Sequence, residues 1–293
     1  MVAARANKAH RDERIALVFL MGSSGIFVLA MATILLFLLV NGTKLFYADH
    51  VSPLAFLFGT EWDGDAGKFG AAPFIAGSIV ATGLAILLGG PLGVAIGLFF
   101  SELAPKRVAA AFKPAIEVLV GIPSIVYGWI GLTLLVPFLA TVTHTQGNGI
   151  LAAGLVLSIM ILPTVISLSE DALRVVPTAL REGSAALGAT RWETMSRVLI
   201  PAASSGLAVA VILGIARAIG ETLAVQLVLG NAPVMPKSLL MSASALTSEI
   251  VMEMGEAPDG SPFRHALFSM ALLLLLVAMG LIVLIRLALR KRT

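Results

Sequence analysis

The sequence predicts an all-α membrane protein of six spanning helices, and three observations carry that reading. The chain of 293 residues is 58% hydrophobic and only 13% charged, against roughly 25% charged residues in soluble domains, and its mean hydropathy is +0.98. Six stretches are apolar for long enough to cross a hydrocarbon core of about 30 Å, which takes roughly 20 helical residues. No polar stretch is long enough to hold a folded core of its own, so a single polytopic domain over residues 1–293 is expected.

The first stretch, near Ile15 to Val40, follows a basic N-terminus. Its apolar run is far longer than a signal-peptide core and no A-x-A-like site follows, so it reads as an anchor. The others lie near Phe74 to Phe100, Val118 to Ala140, Gly149 to Ser169, Ala202 to Leu229 and Ala266 to Ile285. Glycine and proline punctuate several of them, as in "LGGPLG" (Leu88 to Gly93) and "GIPSIVYG" (Gly121 to Gly128). Small residues let helices pack closely in lipid. Pro123 removes a backbone donor, which is tolerated at membrane depth where another group or a wet cavity serves the freed carbonyl. Ser124 and Tyr127 beside it are weaker candidates for polar lining.

Orientation follows from Lys and Arg, which are retained on the cytoplasmic side. With the N-terminus inside, the inner segments hold most of the 20 basic residues, in Arg5 to Arg14, Lys106 to Lys113, Arg174 to Arg197 and Arg286 to Arg292. The outer ones hold Lys44, Lys68, Lys237 and Arg264. Both termini are therefore expected in the cytoplasm, and the net charge of +3 reflects topology. The basic residues form no cluster with interleaved aromatics, so no nucleic-acid partner is expected. The chain has no cysteine, which excludes disulfides, thiolate metal sites and a thiol nucleophile. His10, His50, His144 and His265 lack ligand spacing, so no metal is expected.

In the second outer loop, "SLLMSASALTSEIVMEM" places Leu239, Ala243, Leu246, Ile250 and Met254 at helical intervals, with Glu249, Glu253 and Glu256 on another face. The pattern predicts an amphipathic outer helix, either a lid on the span ends or a docking surface for an outside partner.

Only the fifth stretch carries charge. In "ILGIARAIGETLAV", Arg217 and Glu221 are four apart, so on a helix they share a face and can form an ion pair. A lone arginine near the bilayer centre costs roughly 2.5–3.5 kcal/mol on insertion scales, so such groups turn toward a partner or a wet cavity. Two readings stand. The pair can neutralise itself and join helices, or it can serve a cargo. A guanidinium fork matches phosphate or carboxylate oxygens, which makes Arg217 a candidate oxyanion contact with Glu221 orienting it. The alternative is a proton or cation relay through Glu221.

The longest inner loop, "SEDALRVVPTALREGSAALGATRWETMSRVLIP" (Ser169 to Pro201), reads after Pro177 as short amphipathic helix. Thr178 is placed to cap it, Glu182 falls in the early turns, and Leu180, Leu187, Trp192, Met195 and Leu199 supply apolar contacts. Gly188 permits a turn between two short helices. The mixture of apolar knobs with Arg and Glu is suited to docking.

That loop resembles the EAA motif of ABC importer permeases: E-A-A, three residues, G, nine residues, I-x-L-P. Here Glu182, Gly183 and Ser184 stand for E-A-A, followed by Gly188 and then Val198, Leu199, Ile200 and Pro201. The Glu, Gly and Pro keep their spacing, and small residues replace both alanines. With "IPSIVYGWIGLTLLVP", "LREGSAALGATRWE", "ARAIGETLAVQLVLGN" and "LTSEIVMEMGEA", the chain is similar over roughly residues 74 to 289 to the PstC-type permease subunits of phosphate ABC importers. The first span and first outer loop match more loosely.

The resemblance implies a type I ABC importer permease fold, in a multi-pass protein of the bacterial inner membrane. It places Arg217 and Glu221 on the phosphate path and assigns Glu182, Gly183, Ser184, Gly188 and Pro201 to coupling with an ATPase. It implies as partners a PstA-like second permease, two copies of an ATP-binding subunit, a periplasmic or extracellular phosphate-binding protein, and membrane lipid. The chain has no G-x-x-x-x-G-K loop, so ATP and Mg are expected in the partner ATPase, and this chain is expected to bind no cofactor and not to be an enzyme. Transport of another oxyanion (phosphonate, molybdate or sulfate) is the main alternative. A proton-coupled secondary transporter is the other, although no internal repeat of the kind common in that class is evident.

Overall fold

The computed structural model describes residues 2–290; Lys291 and Arg292 of the basic tail lie outside the described residues. Helix α1, Val2–Tyr47, has 46 residues and runs about 69 Å at 1.5 Å per residue. It extends well past both predicted ends because the stretch contains no proline. A short helix α2, Pro53–Phe58, and a hairpin of β1, Trp62–Asp63, with β2, Lys68–Phe69, form the first outer loop.

Helix α3, Ala72–Leu98, continues as a π-helical turn over Phe99–Leu103. Helix α4, Lys106–Gly121, has no buried residue. The chain then breaks at Ile122 and Pro123, and the third span is formed by α5, Ser124–Ile130, a π turn over Gly131–Leu135, and α6, Val136–Thr143. This span starts later than the sequence suggests, because Pro123 fixes an extended backbone ahead of α5. Helix α7, Ile150–Arg174, is the fourth span.

The inner loop is α8, Thr178–Ala186, α9, Arg191–Thr194, and α10, Ile200–Ala202, with a π turn over Met195–Leu199. Helices α11, Ser204–Ile219, and α12, Leu223–Val228, follow, then α13, Leu246–Glu253, and α14, Pro262–Arg290. Among the described residues, five helices are long and apolar enough to cross a membrane, and six when the pair Arg191–Ala202 and Ser204–Ile219, bent by 73°, counts as one span.

Two expectations are corrected. The fifth span is not one continuous helix over Ala202 to Leu229, because it stops at Ile219 and restarts at Leu223. The outer helix covers only Leu246–Glu253; Leu239 to Ala245 form a loop that bridges back to Gly230 through Ala243.

Helices α3 and α7 form the central pair. Gly89, Gly93 and Gly97 make a stripe at every fourth residue, and a Cβ on them would stand 2.8 Å from the Ser158 carbonyl oxygen, 2.7 Å from Val165 Cγ1 and 2.7 Å from Ser169 Cβ. Gly89 and Gly93 of "LGGPLG" therefore serve close packing, which in lipid depends on van der Waals contact rather than a hydrophobic driving force. Three buried clusters are stacked along the bundle. An outer one includes Phe56, Phe74, Leu267 and Met270. A central one includes Val156, Leu157, Met160 and Val228, and an inner one joins Leu98 and Leu173 to Met195, Leu199 and Leu207. Helix α1 meets this body toward its outer end, where Phe37 meets Phe268 edge to face at 5.4 Å and Ser269 Oγ donates to the Gly42 carbonyl at 2.5 Å.

Candidate functional site: a cation at mid-depth and a helical inner loop

Arg217 lies in the last turn of α11. Its Nη1 donates to Thr164 Oγ1 of α7 at 3.1 Å. The contact exists because the two helices approach closely just below it: a Cβ on Gly214 would stand 2.9 Å from Val165 Cγ2. Helix α7 has 25 residues, about 37 Å, and Thr164 lies about 21 Å from its outer end. The guanidinium is therefore held near the middle of the span, half-exposed on the chain's own surface.

The predicted ion pair does not form. Gly220 ends α11 and the chain unwinds through Thr222 before α12, so Glu221 is not one helical turn along a shared face. Its Oε1 accepts from the Ala224 N–H at 3.1 Å, serving a donor at the start of α12. Its own carbonyl accepts from Thr247 Oγ1 of α13 at 2.9 Å. Among the described residues no carboxylate lies within ion-pair distance of Arg217. A pair that neutralises itself and joins helices is therefore excluded by the geometry of this chain.

The break before α5 is satisfied internally. Pro123 cannot donate to the carbonyl four residues back, Leu119, and the Tyr127 hydroxyl donates to it instead at 2.8 Å. Tyr127 thus completes the backbone, and Ser124 has no side-chain hydrogen bond among those described.

At the inner end, Glu182 and Gly183 are exposed on α8, while Ser184 is buried and its Oγ lies 2.9 Å from Thr194 Oγ1. Gly188 has φ +78° and makes the turn between α8 and α9, as its position predicted. Thr178 is not the cap, because Pro177 occupies that position. Thr190 caps α9 instead, in a reciprocal arrangement with Glu193. The apolar residues divide into two sets: Leu187 and Trp192 are 90% and 66% exposed, whereas Met195 and Leu199 are buried in the inner cluster. Pro201 is exposed in α10.

Sequence reasoning missed the residue that ties this loop to the bundle. Arg181 donates from Nη2 to Glu102 Oε1 at 2.7 Å and from Nε to Oε2 at 3.3 Å. It also donates to the Val176 and Leu173 carbonyls at 2.6 and 3.0 Å, which fastens α8 to the backbone where α7 ends. Nearby, Glu170 of α7 takes Lys113 of α4 at 3.0 Å and Arg174 at 2.6 Å. Glu102 and Glu170 were visible as acids at the inner ends of apolar stretches, but nothing local showed their partners.

The outer helix also departs from its predicted polarity. Glu249 is only 3% exposed and accepts from Ser244 Oγ at 2.6 Å. Glu253 accepts from Trp62 Nε1 at 2.7 Å, which pins α13 to the hairpin. Burial pushes the Glu249 carboxyl up to about 7, opposed by the Ser244 hydroxyl and reinforced by Glu253. Burial also raises Glu253, against the Trp62 hydrogen bond.

Residues 89–293 match the family described as "Binding-protein-dependent transport system inner membrane component". The chain belongs to that family: it is a multi-pass membrane protein and a permease subunit of an ABC importer. Among its relatives, the probable ABC transporter permease protein YqgH of Bacillus subtilis is 48% identical over 265 residues, covering 89% of this chain and 85% of that one. The phosphate transport system permease protein PstC of Haemophilus influenzae is 35% identical over 259 residues, 81% of each chain. The fold matches a chain of the inward-facing MetNI methionine ABC transporter with TM-score 0.59 at 20% identity, over 75% of this chain and 96% of that one. It also matches a chain of a bacterial alginate ABC transporter crystallised with its alginate-bound periplasmic protein, with TM-score 0.58 at 15% identity, over 89% of this chain and 92% of that one. This is the type I importer permease fold expected from the sequence.

Proposed function

We propose that this chain is the PstC-like permease subunit of an ATP-driven phosphate importer, and that Arg217 contacts the anion during its passage. The observation that carries the reading is a permanent cation at mid-depth with no carboxylate to neutralise it among the described residues. The PstC name of the Haemophilus influenzae relative supports phosphate as the cargo. Glu221 shapes the break that ends α11 and keeps its carboxylate at the start of α12, where it limits anion retention without cancelling the Arg217 charge.

In this reading a PstA-like permease completes the pathway and both termini face the cytoplasm. Two copies of an ATP-binding subunit, holding ATP and Mg, engage the segment from Glu182 to Gly188 through its exposed residues, with Ser184 and Pro201 shaping the loop. A periplasmic or extracellular phosphate-binding protein delivers the cargo. ATP-driven closure reaches α7 and α3 through the Arg181–Glu102 contact and the buried Met195 and Leu199.

The test is uptake by the complete transporter reconstituted in proteoliposomes with its binding protein. Radiolabelled phosphate should enter only with internal ATP, and arsenate should compete while sulfate, molybdate and phosphonates do not. Competition by one of those three alone would reassign the cargo, and ATP-independent uptake driven by a pH gradient would overturn the importer mechanism.

A further inference from the structure

Thr164 behaves unlike four other threonines of the spans. Thr33, Thr133, Thr141 and Thr143 each donate their hydroxyl proton to the carbonyl four residues back, at 2.7 to 2.9 Å, the usual arrangement for a hydroxyl on a helix in lipid. The Thr164 hydroxyl is instead turned across the α7–α11 interface, where its oxygen accepts from Arg217 Nη1 at 3.1 Å. A hydroxyl carries one proton besides its acceptor lone pairs, and no protein acceptor takes the Thr164 proton among the described residues. Arg217 likewise spends a single N–H on protein. Two donors of different chemistry, from two helices, thus converge at one half-exposed point near the bilayer middle.

Building on the proposed anion path, we infer that Thr164 is a second contact for the oxyanion, a hydroxyl that donates to one oxygen of a tetrahedral anion while the Arg217 guanidinium holds others. Without cargo the hydroxyl oxygen steadies the arginine side chain. With cargo the same oxygen can keep that bond, because accepting from Arg217 and donating to the anion use different parts of the hydroxyl. The close approach at Gly214 and Val165 sets the separation of the two donors. A charge-assisted bond to an oxyanion is stronger than a neutral one, so losing the hydroxyl should act on anion affinity rather than on assembly.

The experiment measures the phosphate concentration dependence of ATP-driven uptake by the reconstituted complex, for Thr164→Val, Thr164→Ala and Thr164→Ser. The valine and alanine variants should raise the half-saturating concentration for the transport step about tenfold, read with the binding protein saturated, and should assemble with their partners like the native chain. The serine variant, which keeps the hydroxyl, should transport within about twofold of native. Native-like uptake by both valine and alanine variants would overturn the inference. Loss of uptake by the serine variant together with the other two would also overturn it, because packing of the threonine methyl would then be the cause. Arg217→Gln serves as the separate control. If it transports normally the anion path itself is wrong, whereas its failure alongside a native-like Thr164→Val removes only the role given to Thr164.

Discussion

Replacing Arg217 with glutamine should separate transport from stability. In the structure, three contributions decide how much the arginine stabilises the fold. Its insertion at mid-depth costs roughly 2.5–3.5 kcal/mol. Against this, a hydrogen bond from a charged donor to Thr164 Oγ1 returns about 1.5–3 kcal/mol. The position in the last turn of α11, where the helix dipole favours a cation, returns about 0.3–1 kcal/mol. The balance lies within about 2 kcal/mol of zero, so Arg217→Gln should shift the melting temperature by no more than about 4–8 °C. The transport effect is different in size. A monoanion about 4 Å from the guanidinium gains about 4 kcal/mol at an effective dielectric constant of about 20, and losing that amount in the rate-limiting passage corresponds to about a thousandfold. The assay pairs thermal unfolding of the purified complex with radiolabelled phosphate uptake. Uptake within tenfold of native, or a melting temperature lower by more than about 10 °C, would refute the reasoning, the first by removing the anion role and the second by making the arginine structural.

Three further outcomes follow from other parts of the molecule. Gly93→Leu should drive a side chain into Val165 Cγ1, which a bare Cβ already approaches to 2.7 Å, and should separate α3 from α7; the complex should fail to assemble or lose about 1–3 kcal/mol, as read by size-exclusion yield and melting. Arg181→Met leaves Glu102 with only the Ser101 hydroxyl and the Val176 carbonyl without its donor; ATPase subunits should still co-purify, while hydrolysis per phosphate transported should rise several-fold. Glu249 has its carboxyl raised from 4.5 to about 7, so the native state binds the extra proton between those values and stability falls as pH rises through that window. Glu249→Gln should flatten that fall and melt higher than native at pH 8, as seen in unfolding scans between pH 4.5 and 8.

The spans were legible because lipid leaves little freedom: a long apolar run must be helical, and five of the six stretches contain a helix long and apolar enough to cross a membrane, while the fifth holds the shorter α11. The motif spacing likewise placed Gly188 at the turn it makes. What the sequence hid were departures from continuous helix. Regular periodicity joined Arg217 to Glu221 on one face, but Gly220 and Thr222 unwind the backbone between α11 and α12, and that single break exchanged the predicted carboxylate partner for Thr164. The outer loop failed for a related reason. Ser78 of α3 accepts from the Leu246 N–H at 3.0 Å, so the loop before α13 is held by tertiary contacts rather than by its own amphipathic pattern. Arg181 with Glu102 and Trp62 with Glu253 are pairs far apart in the chain, which no local pattern encodes.

The most direct measurement is a structure of the assembled transporter trapped with phosphate partway across the membrane. The account predicts the anion within hydrogen-bond distance of the Arg217 guanidinium, in a water-connected cavity between this chain and the second permease. Arg217 sealed against a carboxylate of that second subunit, with no aqueous route past it, would contradict the account.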